Sequence, residues 1–273
     1  MLKQRIITAV ILAVVFVGSI VFGSPAWVSL LFAIMLGAAT YEMSALTLKP
    51  ASYLAIAIGV VFAVCFWWFE TGLSIEVHYY QSIIGGMAWI GIFIYMLVYR
   101  FSGNWGMLTR GFYFLLGIVL LWICVNNLVF ILKHFEQGGL ILLYLLTLVW
   151  IADIGAYFSG RRFGKNKLAP GISPGKTWEG VAGGVVFNLV WMLFVYYLSD
   201  GWGMNLVWFI GIGLATSAIS VVGDLFESIL KREAGVKDSG KLLPGHGGVL
   251  DRIDSVIAAA PVFVSGLFLA GIV

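Results

Sequence analysis

Apolar residues run along this chain in nine long stretches, near residues 6–22, 26–48, 51–69, 83–99, 111–132, 140–159, 181–198, 204–223 and 255–273. A helix of about 20 residues crosses a hydrocarbon core roughly 30 Å thick, so each stretch is long enough to span a bilayer. In lipid the backbone must satisfy its own polar groups, and the period-two alternation of a barrel is absent, so these stretches predict helices. The pattern predicts an all-α polytopic membrane protein of about nine transmembrane helices, with residues 1–273 as one integral-membrane domain. The first stretch follows Lys3 and Arg5 without a small-residue cleavage site, which predicts a retained first span rather than a signal peptide. No repeat of 20–50 residues is apparent.

Composition agrees: 61% of residues are hydrophobic and 11% charged, and the mean hydropathy is +1.02. A net charge of +3 is too mild to imply nucleic acid. Cys65 and Cys124 lie inside apolar stretches without ligand-type neighbours and read as core thiols.

The charge is unevenly spread. Residues 224–254 hold six carboxylates (Asp224, Glu227, Glu233, Asp238, Asp251, Asp254), five cations (Lys231, Arg232, Lys237, Lys241, Arg252) and His246. With nine spans, the N-terminus and the even-numbered connections share one side, and 15 of the 16 Lys and Arg fall there. Lys133 alone falls on the other. The positive-inside rule then puts the N-terminus in the cytoplasm and the C-terminus outside. Two polar segments, 159–180 and 224–254, become cytoplasmic loops. Glu70, Glu76, Glu136 and Asp200 fall on the outer side as solvated surface acids. Residues 1–139 then read as scaffold spans, and residues 140–273 hold both polar segments.

Glu42 and Asp153 lie within spans, where an ionised carboxylate costs roughly 2.5–3.5 kcal/mol on insertion scales. At 1.5 Å per residue they sit about 9 and 10 Å from the cytoplasmic helix ends. Asn188 reaches a similar depth, and the three are expected to wall a water-filled cavity. Ser217, Ser220, Asp224, Glu227 or Ser228, and Lys231 recur every three or four residues, so they form one polar stripe on the eighth span. Asp251 and Asp254 share a face at the start of the ninth. Mg²⁺ takes a few carboxylates and leaves positions for substrate oxygens, so Asp224 with Asp251, supported by Asp254, suits it.

Residues 171–177, GISPGKT, resemble a phosphate-binding loop only superficially. Three residues separate the glycines where four are needed, and Pro174 lacks the N–H such a loop would use. A flexible basic loop with Lys165, Lys167 and Lys176 remains able to hold phosphates. Pro244-Gly-His246-Gly-Gly reads as a tight turn carrying an imidazole to whatever the carboxylates bind.

The spaced pattern Ser228-x-x-Lys231-Arg232, Lys237-Asp238-x-Gly240 and Pro244-Gly-His246-Gly-Gly-x-x-Asp251-Arg252-x-Asp254 resembles that of the bacterial phosphatidate cytidylyltransferase family. Asp153-x-Gly-Ala-Tyr157, Ser173-Pro-Gly-Lys176-Thr-Trp-Glu-Gly180 and Gly223-Asp224 match it too, most strongly over 145–260. The resemblance implies CTP and phosphatidate as substrates, and CDP-diacylglycerol and pyrophosphate as products. It also implies Mg²⁺ dependence, with a second cation as an option, membrane lipid as a partner, catalysis in residues 140–273, a homodimer with contacts in 1–139, and a multi-pass place in the bacterial inner membrane with the site facing the cytoplasm.

The chemistry this implies needs no activated nucleophile. A lipid phosphomonoester is mostly a dianion at neutral pH and can itself attack the α-phosphate. What it needs is charge neutralisation. Asp224 and Asp251 are the expected metal ligands, and Lys237, Asp238 and His246 join them as catalytic candidates. Lys176, Lys231, Arg232, Arg252 and Ser173 are candidate phosphate contacts; Asp153, Asp254, Glu227, Ser220 and Glu42 are the surrounding cavity groups. Arg252 has an alternative role as an ion-pair partner of its acidic neighbours. Two other readings stay open: a cation-coupled secondary transporter, and the same chemistry on another lipid phosphate.

Overall fold

The computed structural model describes residues 2–103 and 105–273, with side chains from residue 10 onward except at 12 and 71. Lys3 and Arg5, the cations expected to orient the first span, therefore have side chains outside the described residues. Among the described residues there are nine α-helices: α1 Leu2–Phe22, α2 Pro25–Thr47, α3 Ser52–Phe69, α4 Ile75–Val98, α5 Met107–His134, α6 Gly138–Phe163, α7 Trp178–Ser199, α8 Leu206–Ala234 and α9 Leu250–Leu269. Eight of them, α2 to α9, are long and apolar enough to cross a membrane, and α1 adds the apolar stretch Ala13–Phe22. The chain is thus an all-α multi-pass membrane protein, as the hydropathy pattern predicts.

Helix starts follow local chemistry. Ser24, Ser74 and Asn205 cap α2, α4 and α8 by accepting from the backbone N–H groups of Trp27, Val77 and Trp208, which satisfies donors that a helix leaves free. α8 stops at Gly235, whose φ of +75° suits a residue without Cβ.

α5, α9 and α2 form the buried centre, and α3, α4 and α7 turn most of their apolar surface outward, as lipid-facing spans do. α6 packs on α7, α8 on α9 and α2 on α3. The α6–α7 contact is close because glycines line it: a Cβ on Gly184 would approach the Ala152 carbonyl to 2.8 Å. Pro261 sits inside α9 and has no N–H for the Ile257 carbonyl one turn earlier. The buried Trp89 indole of α4 donates to that carbonyl at 3.1 Å. A helix interrupted at membrane depth is thus repaired by its neighbour.

The connections sort into two ends. At one, Lys49 of the α2–α3 link donates to the Ala234 carbonyl at 3.3 Å, and the α4–α5 link binds Glu233 through Ser102 and Gly103. At the other, Lys133 pairs with Glu70 at 2.5 Å, and Trp202 donates to Gln137 at 3.0 Å. The second, fourth and eighth connections thus meet at one end and the third, fifth and seventh at the other, the alternation that successive spans require. Glu70 corrects an expectation: it is buried against Lys133, not a solvated surface acid.

Both polar segments are more ordered than loops. Residues 224–234 continue α8 and 250–254 open α9, so the second loop shrinks to 235–249. Within 159–180, α6 continues to Phe163, and an antiparallel hairpin follows, with β1 Lys167–Ala169 paired to β2 Ser173–Thr177. The expected flexible basic loop is a hairpin.

Candidate active site

The hairpin explains why Ser173-Pro-Gly-Lys-Thr-Trp-Glu-Gly180 is built as it is. Ile172, at its turn, packs with Leu225 and Ile229 of α8. Thr177 ends β2 and caps α7, accepting from Gly180 N–H at 3.1 Å. Glu179 accepts from the Lys165 and Asn166 backbones and from the Asn166 side chain, at 2.7 Å for the last. Gly180 lies against α6, where a Cβ would come 2.9 Å from the Ala156 carbonyl. These contacts fix one side chain: Lys176 Nζ reaches Asp224 Oδ2 at 2.7 Å. Lys165 and Lys167 point to the exposed side, and Ser173 is half-buried on β2.

Asp251 anchors the 235–249 loop from the first turn of α9. Its Oδ2 accepts from Ser239 N–H at 2.9 Å, Ser239 Oγ at 3.0 Å and Gly248 N–H at 2.8 Å. Its Oδ1 accepts from Lys231 Nζ at 2.7 Å. Glu42 grips the same loop from α2: its Oε2 accepts from Leu250 N–H at 2.8 Å and Ser239 Oγ at 3.3 Å. Leu250 opens α9, so Glu42 binds one of the free donors of that helix end. A Cβ at Gly240 or Gly248 would collide with the Glu42 carboxylate. Glu42 is 1% exposed and clamps the loop, which corrects its expected place on a cavity wall.

From Asp251 a file of charge crosses to the hairpin. Lys231 bridges Asp251 and Glu227, whose Oε2 is 2.6 Å away. Glu227 and Asp254 lie together, and Asp254 also lies near Asp224. Asp224 holds Lys176, and Asp153 of α6 stands beside that pair. Five carboxylates from three helices thus face two ammonium groups. Glu227 Oε1 is buried with no N–H donor on it, and the Asp254 carboxyl is its neighbour. It and Asp254 border an interior cavity of about 20 Å³, room for about one water.

The remaining expected residues divide. Asp238 and His246 border a polar cavity of about 610 Å³ together with Lys241 and Arg252. Lys237 and Arg232 are exposed, and Arg232 Nε reaches the Ile172 carbonyl at 3.5 Å. Arg252 donates to the His246 carbonyl at 2.7 Å and makes no ion pair among the described residues, so its alternative role is not taken up. Ser220 is buried and donates to the Ser217 carbonyl at 2.8 Å. Asn188 donates to the Leu148 carbonyl at 2.9 Å and to Ser217 at 2.8 Å. Asn188 thus ties α7 to α6 and α8, which corrects its expected place on a cavity wall, whereas the Ser220 bond stays within α8.

Two contributors were missed by spacing. Ser239 joins Glu42 to Asp251, and only its position between Asp238 and Gly240 hinted at it. Glu233 accepts from Tyr99 Oη at 2.5 Å, Ser102 N–H at 2.9 Å, Ser102 Oγ at 3.1 Å and Gly103 N–H at 2.9 Å. It fastens the α4–α5 link to the end of α8. Burial and this carboxylate together push the Tyr99 phenol well above its ordinary pKa.

Residues 3–270 match the model of the cytidylyltransferase family. The chain is 37% identical to a phosphatidate cytidylyltransferase of Haemophilus influenzae, over 96% of this chain and 97% of that protein. It is 38% identical to the Pseudomonas aeruginosa protein of that name, over 99% and 98%. With the Bacillus subtilis one it shares 33% identity over 95% of both.

Proposed function

The chain belongs to the cytidylyltransferase family, and we infer from that membership and from the charge file that it transfers the cytidylyl group of CTP to phosphatidate. The products are CDP-diacylglycerol and pyrophosphate. One observation ties the site to this chemistry: five carboxylates and two lysines are held at the end of an apolar helix bundle, beside a polar cavity. That is a place where a membrane lipid and a water-soluble polyanion can meet.

A phosphate oxygen of the lipid attacks the α-phosphorus of CTP. A P–O bond forms there, the bond from that phosphorus to the β-phosphate oxygen breaks, and the electron pair leaves on pyrophosphate. The nucleophile is already mostly deprotonated at neutral pH, so no side chain has to take its proton. Lys176 and Lys231, now held by Asp224 and Asp251, are positioned to turn toward the triphosphate. Arg252 and His246 lie on the polar-cavity side for the lipid phosphate.

The donor set fits Mg²⁺. Among the described residues no group of three or more His, Cys, Asp and Glu forms a ready cage, but Mg²⁺ takes one or two carboxylates and completes its shell with phosphate oxygens and water. Asp224 would hold it with Asp254 beside it; Asp251, the other expected ligand, lies at the far end of the file and already accepts from Lys231, Ser239 and Gly248. The excess of carboxylates over lysines and the close approach of Asp254 to both Glu227 and Asp224 support a cation there. When bound, it neutralises charge on the triphosphate and on departing pyrophosphate.

We propose further that the protein is dimeric and sits in the inner membrane with the α8–α9 loop in the cytoplasm. The lysine and arginine asymmetry supports that orientation. A reporter fused after Val273 is expected to be active only outside the cytoplasm; one active only inside would overturn the orientation. For the reaction itself, purified protein with labelled CTP and Mg²⁺ should label phosphatidate and release pyrophosphate. Label appearing only on a polyprenyl phosphate would change the substrate and keep the chemistry.

A further inference from the structure

A second large cavity carries chemistry that the charge file does not use. It lies between α1, α2, α6 and α9 and measures about 520 Å³, inside the ~300–1,000 Å³ range of ligand pockets. Its walls are apolar, with Phe16 of α1, Ile34 and Ala38 of α2 and Trp150 of α6 among them. The end beside the start of α9 is different: it is closed by Arg252 and His246. The Arg252 guanidinium is exposed and unpaired with any described carboxylate, and His246 Nδ1 is buried without a hydrogen-bond partner. The same two residues border the polar cavity of the 235–249 loop, so the two spaces share an end.

Depth and polarity run together. Arg252 is two residues into α9, at the helix end. Ala38 is nine residues inside the end of α2 at Thr47, roughly 13 Å at helical rise. A cationic head therefore leads into apolar walls at membrane depth, which matches an amphiphile standing in one leaflet. A nucleotide has no use for the apolar part. A zwitterionic lipid presents a cation that Arg252 would repel, whereas a phosphomonoester carries about −1.5 to −2 charge at neutral pH. Gly247, with φ +84°, stands between this head end and the charge file: a Cβ there would lie 2.7 Å from Asp251 Oδ2.

We propose that this groove seats the lipid phosphomonoester, with acyl chain between α1, α2 and α6 and the phosphate between Arg252 and His246. The proposal rests on the cytidylyltransferase reading and adds where the lipid lies. Ala38→Trp fills the groove without touching either head-group residue. In detergent micelles it should raise KM for dioleoyl phosphatidate at least about tenfold, since each buried methylene contributes about 0.8 kcal/mol. KM for dihexanoyl phosphatidate and for CTP should stay within about twofold, as neither depends on the deep walls. Equal rises for both lipids, or none, would overturn the groove. Wild-type protein gives a readout independent of turnover and of that variant's folding. A phosphatidate with a diazirine in its acyl chain should label residues 31–38 and 146–150, competed by phosphatidate and not by phosphatidylcholine. Labelling confined to outward faces such as α3, or equal competition by both lipids, marks bulk membrane lipid and sinks the proposal. Should wild-type protein label in the groove yet fail to turn over CTP with any phosphatidate, the reaction assignment fails and the groove stands.

Discussion

Asp224→Asn is expected to lower turnover about 10²–10³-fold, the usual loss when one strong electrostatic contact to developing charge is removed. The substitution keeps the side-chain shape and removes the charge that holds Lys176 at 2.7 Å. Its side chain is 28% exposed, so the loss should come without unfolding. Asp251→Asn should lose as much turnover for a mixed reason. Asp251 accepts from Lys231, from both donors of Ser239 and from Gly248. An amide must aim an N–H at one of those donors, leaving it unsatisfied. Trypsin separates the two cases: Asp251→Asn should be nicked faster at Lys237 or Lys241 in the freed loop, and Asp224→Asn at the wild-type rate. Turnover above about a tenth of wild type at saturating Mg²⁺ in the Asp224 variant would remove it from the metal site.

The spans were legible because hydropathy is a sum over many residues, and each of the nine apolar stretches falls on a helix among the described residues. Their ends were not, because hydropathy falls where charge begins whereas helical hydrogen bonding need not. α8 runs 11 residues beyond Gly223 in one helix, and the three-to-four spacing of Asp224, Glu227 and Lys231 already carried that continuation. The hairpin escaped because strands of three and five residues containing Pro and Gly have no readable period. Sequence spacing can bring together only what one element holds. It paired Glu227 with Lys231 and Asp251 with Asp254, yet gave no sign that Lys231 would meet Asp251 across the 235–249 loop. Glu42 shows the same limit: depth in its span was readable, but its grip on Leu250, 208 positions later, was not. Asn188 was misread because a polar residue in a span faces either a cavity or a neighbouring helix, and periodicity does not distinguish them.

That bridge makes Lys231→Met the severest test of how the site is held together. The ammonium lies 2.6 Å from Glu227 Oε2 and 2.7 Å from Asp251 Oδ1, with the lysine side chain 14% exposed. Methionine fills nearly the same volume and leaves two carboxylates facing each other without the cation between them. Breaking a buried pair from one side typically costs about 3–5 kcal/mol, so Lys231→Met should unfold at clearly lower temperature in detergent and lose turnover. Loss of turnover alone would not separate instability from chemistry, and a second substitution does. Glu227→Gln beside Lys231→Met removes one of the stranded charges, while Asp251 keeps its three loop donors. The double variant should regain most of the lost thermal stability and none of the turnover, because a phosphate clamp is still missing. A double variant no more stable than Lys231→Met would mean that Glu227 is not strained by losing its lysine. Recovered turnover would mean that Lys231 serves the fold and leaves the triphosphate to Lys176 and its neighbours.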